Sequence, residues 1–531
     1  MKFNTISIVT LLVGMIVIGS CNKKYTTDYR NLNQPSTVPP SLLLRSIEYN
    51  MWDPPFNQDE RNDQFTLSNY VYYDDNLYWD GTSHSQYASL NYTDLWNVLS
   101  MEKEASKAAN GSTTTAYHAM GKFFRAWYFY QMTMKVGDLP MTQALQGTTN
   151  LTPVYDNQKA IFVQILKWLD SANIQMASLI TNGIPEFSGD IYFIERPVNA
   201  LSPLNAMIEW QKVVNTFRLR VLIQLSKKTA DADLNVAQQF AAVIADPVKF
   251  PIMTSMDDNL QFEYINPYNT YPNSPNNFGN DAVRYNMGGT YLNGVAGLKD
   301  LRAMMTGEPA RGLGFADTSF SSFVGAPAGE ALSIMAADVQ GGKISLINRH
   351  RYWETYTGEN TFIVAYPEMC FNIAEAINRG WLTGNSEQWY INGIQASIGF
   401  YGIVDGANTV TFQQGLLGQD VSYTVHWDWA SYYAQPAVKY AGDNAAGLNQ
   451  ILLQKYLAFF RNSGLEAYYL WRRTGVPAFD AGPGTGNSGI IPLRWQYPVS
   501  ESSVNTTNYN AAVQSQYGGQ DNINQIMWLL K

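Results

Sequence analysis

The chain has 531 residues, and its 44 acidic and 35 basic side chains give a net charge of −9 at neutral pH. No long run of Lys or Arg occurs, which excludes the clustered basic footprint of a nucleic-acid-binding protein. A hydrophobic share of 46% is that of a globular chain, and the length allows one large domain or several ordinary ones.

The first element along the chain is a leader. Lys2 supplies a short positive segment, and residues 6–18 form an almost uninterrupted apolar run. That run is well short of the roughly 20 residues a spanning helix needs, and it fits the apolar region of a secretory signal. Gly19 and Ser20 then precede Cys21, and Ile18-Gly-Ser-Cys21 resembles a bacterial lipobox. On this reading residues 1–20 are a signal peptide, and Cys21 is lipidated as the first mature residue. Several acyl chains, at about 0.8 kcal/mol per buried methylene, make such an attachment effectively permanent. Residues 21–40 are polar and proline-bearing, a lipidated tether and not a second membrane segment.

Helical periodicity marks residues 91–109, 114–136, 158–180, 209–228 and 234–245. In the third of these, Ile161, Ile165, Leu169, Ala172, Met176 and Leu179 recur every three or four residues. The same spacing returns at 367–379, 386–401, 449–462 and 464–473. Short loops between neighbours predict helical hairpins, with a degraded tetratricopeptide pattern around Glu375, Ala376, Trp381, Tyr390 and Ala396. Three long irregular stretches separate the helices, at 262–291, 308–356 and 402–447. Loops of that length are uncommon in compact proteins and are often functional, so binding is expected there.

Little in the sequence calls for catalysis. Gly484-Thr-Gly-Asn-Ser-Gly489 matches a dinucleotide fingerprint on paper, but it follows a Pro/Gly-rich stretch and leads into Pro492, without the required strand and helix. Asp74, Asp75, Asp80 and His84 fail the spacing of a calcium loop. The histidines at 84, 118, 350 and 426 have no spacing that builds a triad. No catalytic residue, metal site or cofactor is therefore assigned. With Cys21 lipidated, Cys370 is left without a disulfide partner. Cys370, Ala374, Ile377 and Trp381 share one helix face, which makes the thiol a buried apolar group. Aromatic residues make up 14% of the chain, including 34 tyrosines, and amides are abundant. Such surfaces suit sugars and peptides, which take apolar contact on a ring and paired hydrogen bonds beside it.

The ordered motifs carry a resemblance. Asn31-Leu-Asn-Gln-Pro35, Val136-Gly-Asp-Leu-Pro140, Tyr155-Asp-Asn-Gln158 and Asn215-Thr-Phe-Arg-Leu-Arg220 stand in the first half. Ala374-Glu-Ala376, Trp471-Arg-Arg-Thr-Gly475 and Pro492-Leu-Arg-Trp-Gln-Tyr-Pro498 stand in the second. Together they resemble the SusD/RagB family of outer-membrane lipoproteins of Bacteroidota, in its SusD-like branch. Glu308-Pro-Ala-Arg311 only approximates the family's Asp-Pro-Arg element, and Lys23 and Lys24 stand where exported lipoproteins of the phylum often carry acids.

The resemblance implies a mainly α, SusD-like fold. Tetratricopeptide-like hairpins would form a scaffold with long irregular loops and few short strands, as a single helical domain over residues 41–531. It implies a non-enzymatic, cell-surface binding protein that captures an oligosaccharide or oligopeptide. Its expected partner is a SusC-like TonB-dependent transporter, over which it acts as a lid. Most motif residues, Asp138, Arg472 and Arg473 among them, are expected to stabilise the fold. The expected ligand contacts are Tyr73, Tyr78 and Trp79 in the aromatic segment 70–84, and Tyr268, Tyr271 and Phe278 in the loop 264–280. Trp353, Trp427 and Trp429 are lesser candidates. A surface glycoside hydrolase, with a carboxylate pair in a cleft, and a structural envelope lipoprotein without a soluble ligand are the alternatives.

Overall fold

Two sets of packed helices make up the bulk of the structure, a computed structural model that describes residues 37–52, 67–68, 87–184, 186–283, 286–414, 419–459, 461, 464–485 and 487–531. The leader, Cys21 and the tether through residue 36 lie outside these residues.

The first set begins with α1 (Pro40–Tyr49), which opens on a proline where a helix needs no N–H. It continues with α2 (Tyr92–Ala108), α3 (Ala116–Val136), α4 (Gln158–Asn182), α5 (Pro203–Gln224) and α6 (Val236–Ala245). Asn157 caps α4 by accepting from the Ala160 N–H, and Ser202 caps α5 by accepting from the Asn205 N–H. That cap, with Pro203 behind it, starts α5 six residues before the apolar periodicity that marked it from residue 209. Consecutive helices from α2 to α5 pack side by side. Between its neighbours α3 is buried on nearly every face, including Phe123, Trp127, Tyr128 and Tyr130, as a helix apolar all round must be. Phe217 of α5 meets Trp127 and Tyr130 with ring centroids 5.1 and 5.3 Å apart. Each such side chain contributes roughly 1.5–3 kcal/mol on burial.

The second set is preceded by a one-turn helix, α7 (Arg349–Trp353), within the stretch expected to be irregular. It comprises α8 (Tyr366–Asn378), α9 (Ser386–Phe400), α10 (Ala445–Phe459) and α11 (Glu466–Thr474). Helix α8 packs on α9 and α10 and crosses to α5, so it joins the two sets. One apolar cluster includes residues from Leu44 on α1 to Leu530 at the far end of the chain.

Charge replaces apolar contact where α5, α8, α10 and α11 meet. Arg220 Nε donates to Glu368 Oε1 at 2.9 Å, and Arg220 Nη1 lies 3.6 Å from Glu466 Oε1. Arg473 Nη2 donates to Glu375 Oε2 at 2.8 Å, while Lys455 Nζ donates to Asn372 Oδ1 at 2.6 Å. All six charged side chains are buried. Burial alone would raise the Glu375 carboxyl, but Arg473, then Arg379 and Lys455, draw it down to about 2. Burial lowers the Lys455 ammonium to about 8. The motif residues thus do structural work, as expected. Asn215 Nδ2 bonds to Asn173 Oδ1 (3.0 Å) and Pro251 O (2.9 Å), and Arg494 Nη1 donates to Asp521 Oδ1 at 2.6 Å. Asp138 Oδ1 accepts the first N–H of α4, from Gln158, at 2.7 Å.

The strands are few and pair antiparallel. β1 (Leu67–Ser68) pairs with β3 (Asn286–Met287), and β2 (Leu260–Phe262) pairs with β4 (Thr361–Val364). The third pair corrects the sequence reading. Residues 402–447, expected to be irregular, contain a hairpin of β5 (Gly406–Gln413) and β6 (Asp420–Trp427), in register from Gly406↔Trp427 to Gln413↔Asp420. Val410 and Phe412 turn inward, and the opposite strand alternates Val421, Tyr423, Val425 and Trp427 with Ser422, Thr424 and His426. The alternation is plain in β6, but β5 opens on Gly406-Ala-Asn408, so no second strand marked itself as its partner.

Candidate functional site

The loop that leaves β2 is built on a ladder of rings. Phe262 stacks on Trp52 with centroids 4.2 Å apart, and Tyr264 meets Trp52 edge-on at 5.6 Å. Tyr264 then meets Tyr271 at 4.9 Å, and its hydroxyl lies 2.8 Å from Thr361 Oγ1. Above the ladder the chain reverses. Ile265 and Asn269 exchange both backbone hydrogen bonds at 2.7 Å around a cis Asn266-Pro267 bond. Tyr268 is left at the tip, 90% exposed. The Tyr271 N–H donates to Tyr356 O at 2.8 Å, and the Tyr271 ring lies directly over Gly358. A Cβ at Gly358 would sit 2.3 Å from that ring, and the residue has φ +48°, so glycine is required there on both counts.

This geometry sorts the aromatic candidates. Tyr268 faces solvent, whereas Tyr271 and Phe278 are buried. Tyr271 packs against Tyr264 and over Gly358, and so braces the loop from within. Among the lesser candidates Trp353 and Trp427 are buried, and Trp429 is half-buried and stacked on Tyr433 at 5.5 Å. Tyr73, Tyr78 and Trp79 lie outside the described residues.

Gly358 also borders a cavity of about 550 Å³ between α7, the turn after it and β5. Its walls mix Asn348, Arg351, Thr355, Asn408 and Thr411 with Met304, Met305, Tyr401 and Val404. Arg351 is fixed by Glu359, 2.7 Å from its Nε, and by the Tyr401 ring, 4.7 Å from its guanidinium. Asn348 caps α7 by accepting from the Arg351 N–H and donates to Thr411 O at 3.0 Å. The wall therefore has fixed donors and acceptors, while the loop next to it carries an exposed ring. Oligomers with hydroxyls or amides along an apolar backbone match that combination.

Two arrangements of titratable groups were not seen in the sequence. His118 lies 3.0 Å from Ser106 Oγ and 2.8 Å from Thr115 Oγ1, so both ring nitrogens are occupied by hydroxyls and no carboxylate orients the ring. Burial lowers its pKa. On the cavity side, His350, Glu354 and Asp420 stand together, the one group among the described residues with donor atoms close enough to share a metal ion. The i,i+4 spacing of His350 and Glu354 was legible, but the approach of Asp420 depends on a hairpin the sequence reading missed.

A two-part helical scaffold that holds an aromatic loop against the wall of a cavity defines the structural class. Within that class the chain belongs to the SusD-like family described as starch-binding and associating with the outer membrane, whose sequence profile matches residues 32–498. A SusD homologue from Bacteroides fragilis NCTC 9343 superposes with a TM-score of 0.78 at 26% identity, covering 93% of this chain and all of that one. A second SusD homologue from the same strain reaches 0.74 at 30% identity, again over 93% of this chain and all of its own. A chitin-binding SusD homologue from Flavobacterium johnsoniae shares the fold at 19% identity and a TM-score of 0.63, over 92% and 98% of the two chains. No curated protein matches by sequence.

Proposed function

We propose that the protein is a surface-facing outer-membrane lipoprotein, anchored through Cys21, that captures an oligomeric nutrient and acts as the lid of a SusC-like TonB-dependent transporter. It binds its cargo and does not hydrolyse it. The observation that carries this reading is Tyr268, 90% exposed at the tip of a loop whose Tyr271 packs over Gly358 on the wall of a cavity. A ring held out on a braced loop is placed to give a ligand apolar contact on its face and a hydrogen bond at its hydroxyl. In the proposal Tyr73, Tyr78 and Trp79 also contact the ligand, and Tyr271 and Phe278 serve the same loop from buried positions. Starch and chitin in the descriptions of the family and a relative favour a glycan over a peptide. The lipid tether holds the lid at high effective concentration over its barrel, so modest ligand affinity suffices.

The test is native gel electrophoresis of the protein through embedded starch, soluble chitin derivatives and other glycans, with oligopeptides titrated in parallel. Retardation by a glycan with no release of reducing ends supports the reading. Release of products would make the protein a hydrolase, and indifference to every ligand class would leave a structural role.

A further inference from the structure

We propose that His350, Glu354 and Asp420 bind a divalent transition-metal ion, with zinc as the probe, on the wall of the cavity beside the aromatic loop. The proposal is independent of which nutrient the protein captures. His350 is the second residue of α7 and Glu354, one turn on, is its C-cap, while Asp420 is the first residue of β6. His350 Nδ1 is 2.7 Å from Asp420 Oδ2 and 3.5 Å from Glu354 Oε2. A single Nδ1–H serves only one of these acceptors well. Asp420 Oδ1 and Glu354 Oε2 are both enclosed, and neither receives a hydrogen bond. Two carboxylates thus face one imidazole with acceptor capacity that no neighbouring donor fills.

Arg349 stands within electrostatic reach of Asp420, but its hydrogen bond goes elsewhere. Arg349 donates to Gln413 O at 3.0 Å and faces Glu308, and Arg351 is held by Glu359. One donor atom from each of the three residues lies within 4.8 Å of the others. Metal–ligand bonds of about 2.0–2.2 Å span pairs up to about 4 Å apart, so small side-chain rotations close the triad on one ion. The imidazole sets the class, because calcium and magnesium take oxygen donors whereas nitrogen with carboxylate suits zinc and its neighbours. His350 and Glu354 line the cavity, so a further coordination position opens toward it, where water or a ligand oxygen fits. The ion would tie α7 to the hairpin and stiffen that wall.

The test uses the untagged full chain stripped with a chelator, then titrated with zinc chloride by calorimetry. One equivalent is expected to bind, with calcium chloride giving no comparable heat. His350→Ala and Asp420→Asn are each expected to weaken binding by more than about tenfold, and His118→Ala is expected to leave it unchanged. Zinc is expected to raise the melting temperature of the wild type but not of His350→Ala. Cobalt added to the wild type gives a ligand-field spectrum with nitrogen and oxygen donors, a readout that does not depend on any variant folding. Failure to bind zinc, or wild-type affinity in both site variants, would overturn the proposal.

Discussion

Replacing Arg220 with methionine tests how the two helix sets are joined. In the native structure Arg220 lies between Glu368 and Glu466, with all three side chains buried. Its loss leaves two buried carboxylates facing each other, with Lys455 as the nearby cation that both feel. Removing one member of a buried ion pair costs about 3–5 kcal/mol, because the partner's charge stays desolvated. Unfolding entropy of about 2.1 cal/mol/K per residue makes a chain of this size lose roughly 1 °C of Tm for each kcal/mol. Arg220→Met is therefore expected to lower Tm by roughly 3–5 °C. The control is Arg45→Met, at a surface pair with Glu195 in which Arg45 is 52% exposed, where a change below about 1 °C is expected. Adding Glu368→Leu and Glu466→Gln to Arg220→Met removes the stranded charge and is expected to recover most of the loss. Circular-dichroism melts of the four proteins decide the matter. A drop no larger than that of the surface control, or a triple variant worse than the single one, would refute the reasoning.

Other outcomes follow from the same structure. Tyr271→Ala is expected to destabilise by about 3–5 kcal/mol, as buried aromatic truncations do, and Gly358→Ala to lower Tm because its Cβ meets the Tyr271 ring at 2.3 Å. Asp138 has a folded pKa raised by burial to about 7, above the ordinary 3.8. Its contribution is thus complete below pH 3.8 and is lost as pH rises through 7, so Asp138→Asn is expected to raise Tm more at pH 8 than at pH 5. Glu375 has the opposite sign. Its contribution holds above about pH 4.5 and is lost as pH falls toward 2, so Glu375→Gln is expected to flatten the acid limb of the stability curve. Cys370 is buried with its thiol pushed up to about 12. A thiol reagent is expected to leave it unmodified in the native protein and to label it fully in denaturant.

The helices were legible because their apolar spacing is also their packing. Ile161, Ile165, Leu169 and Met176 form the inner face of α4 as the periodicity requires. Boundaries followed at Asn157 and Pro367, whereas α5 starts at its Ser202 cap and Pro203, six residues before its periodicity begins. Hairpin β5–β6 was hidden although Val421, Tyr423, Val425 and Trp427 alternate plainly, since a short polar-rich segment reads as loop until a partner strand is known. The aromatic loop was legible only as a region. Tyr268 and Tyr271 are three residues apart in the same aromatic loop, yet one is 90% exposed and the other 1%. That division is made by Tyr356 and Gly358, some 85 residues away in the chain, and no local pattern records it. The His350, Glu354 and Asp420 group was invisible for the same reason.

Ligand capture through the braced loop is tested most directly by calorimetric titration of wild type and Tyr268→Ala with the glycan that retards the protein. Losing an anchor worth about 1.4 kcal/mol raises Kd about tenfold. Since Tyr268 is 90% exposed, the melting temperature is expected to stay unchanged. An unchanged Kd in the variant would contradict the account, as would a loss of binding that only accompanies a loss of fold.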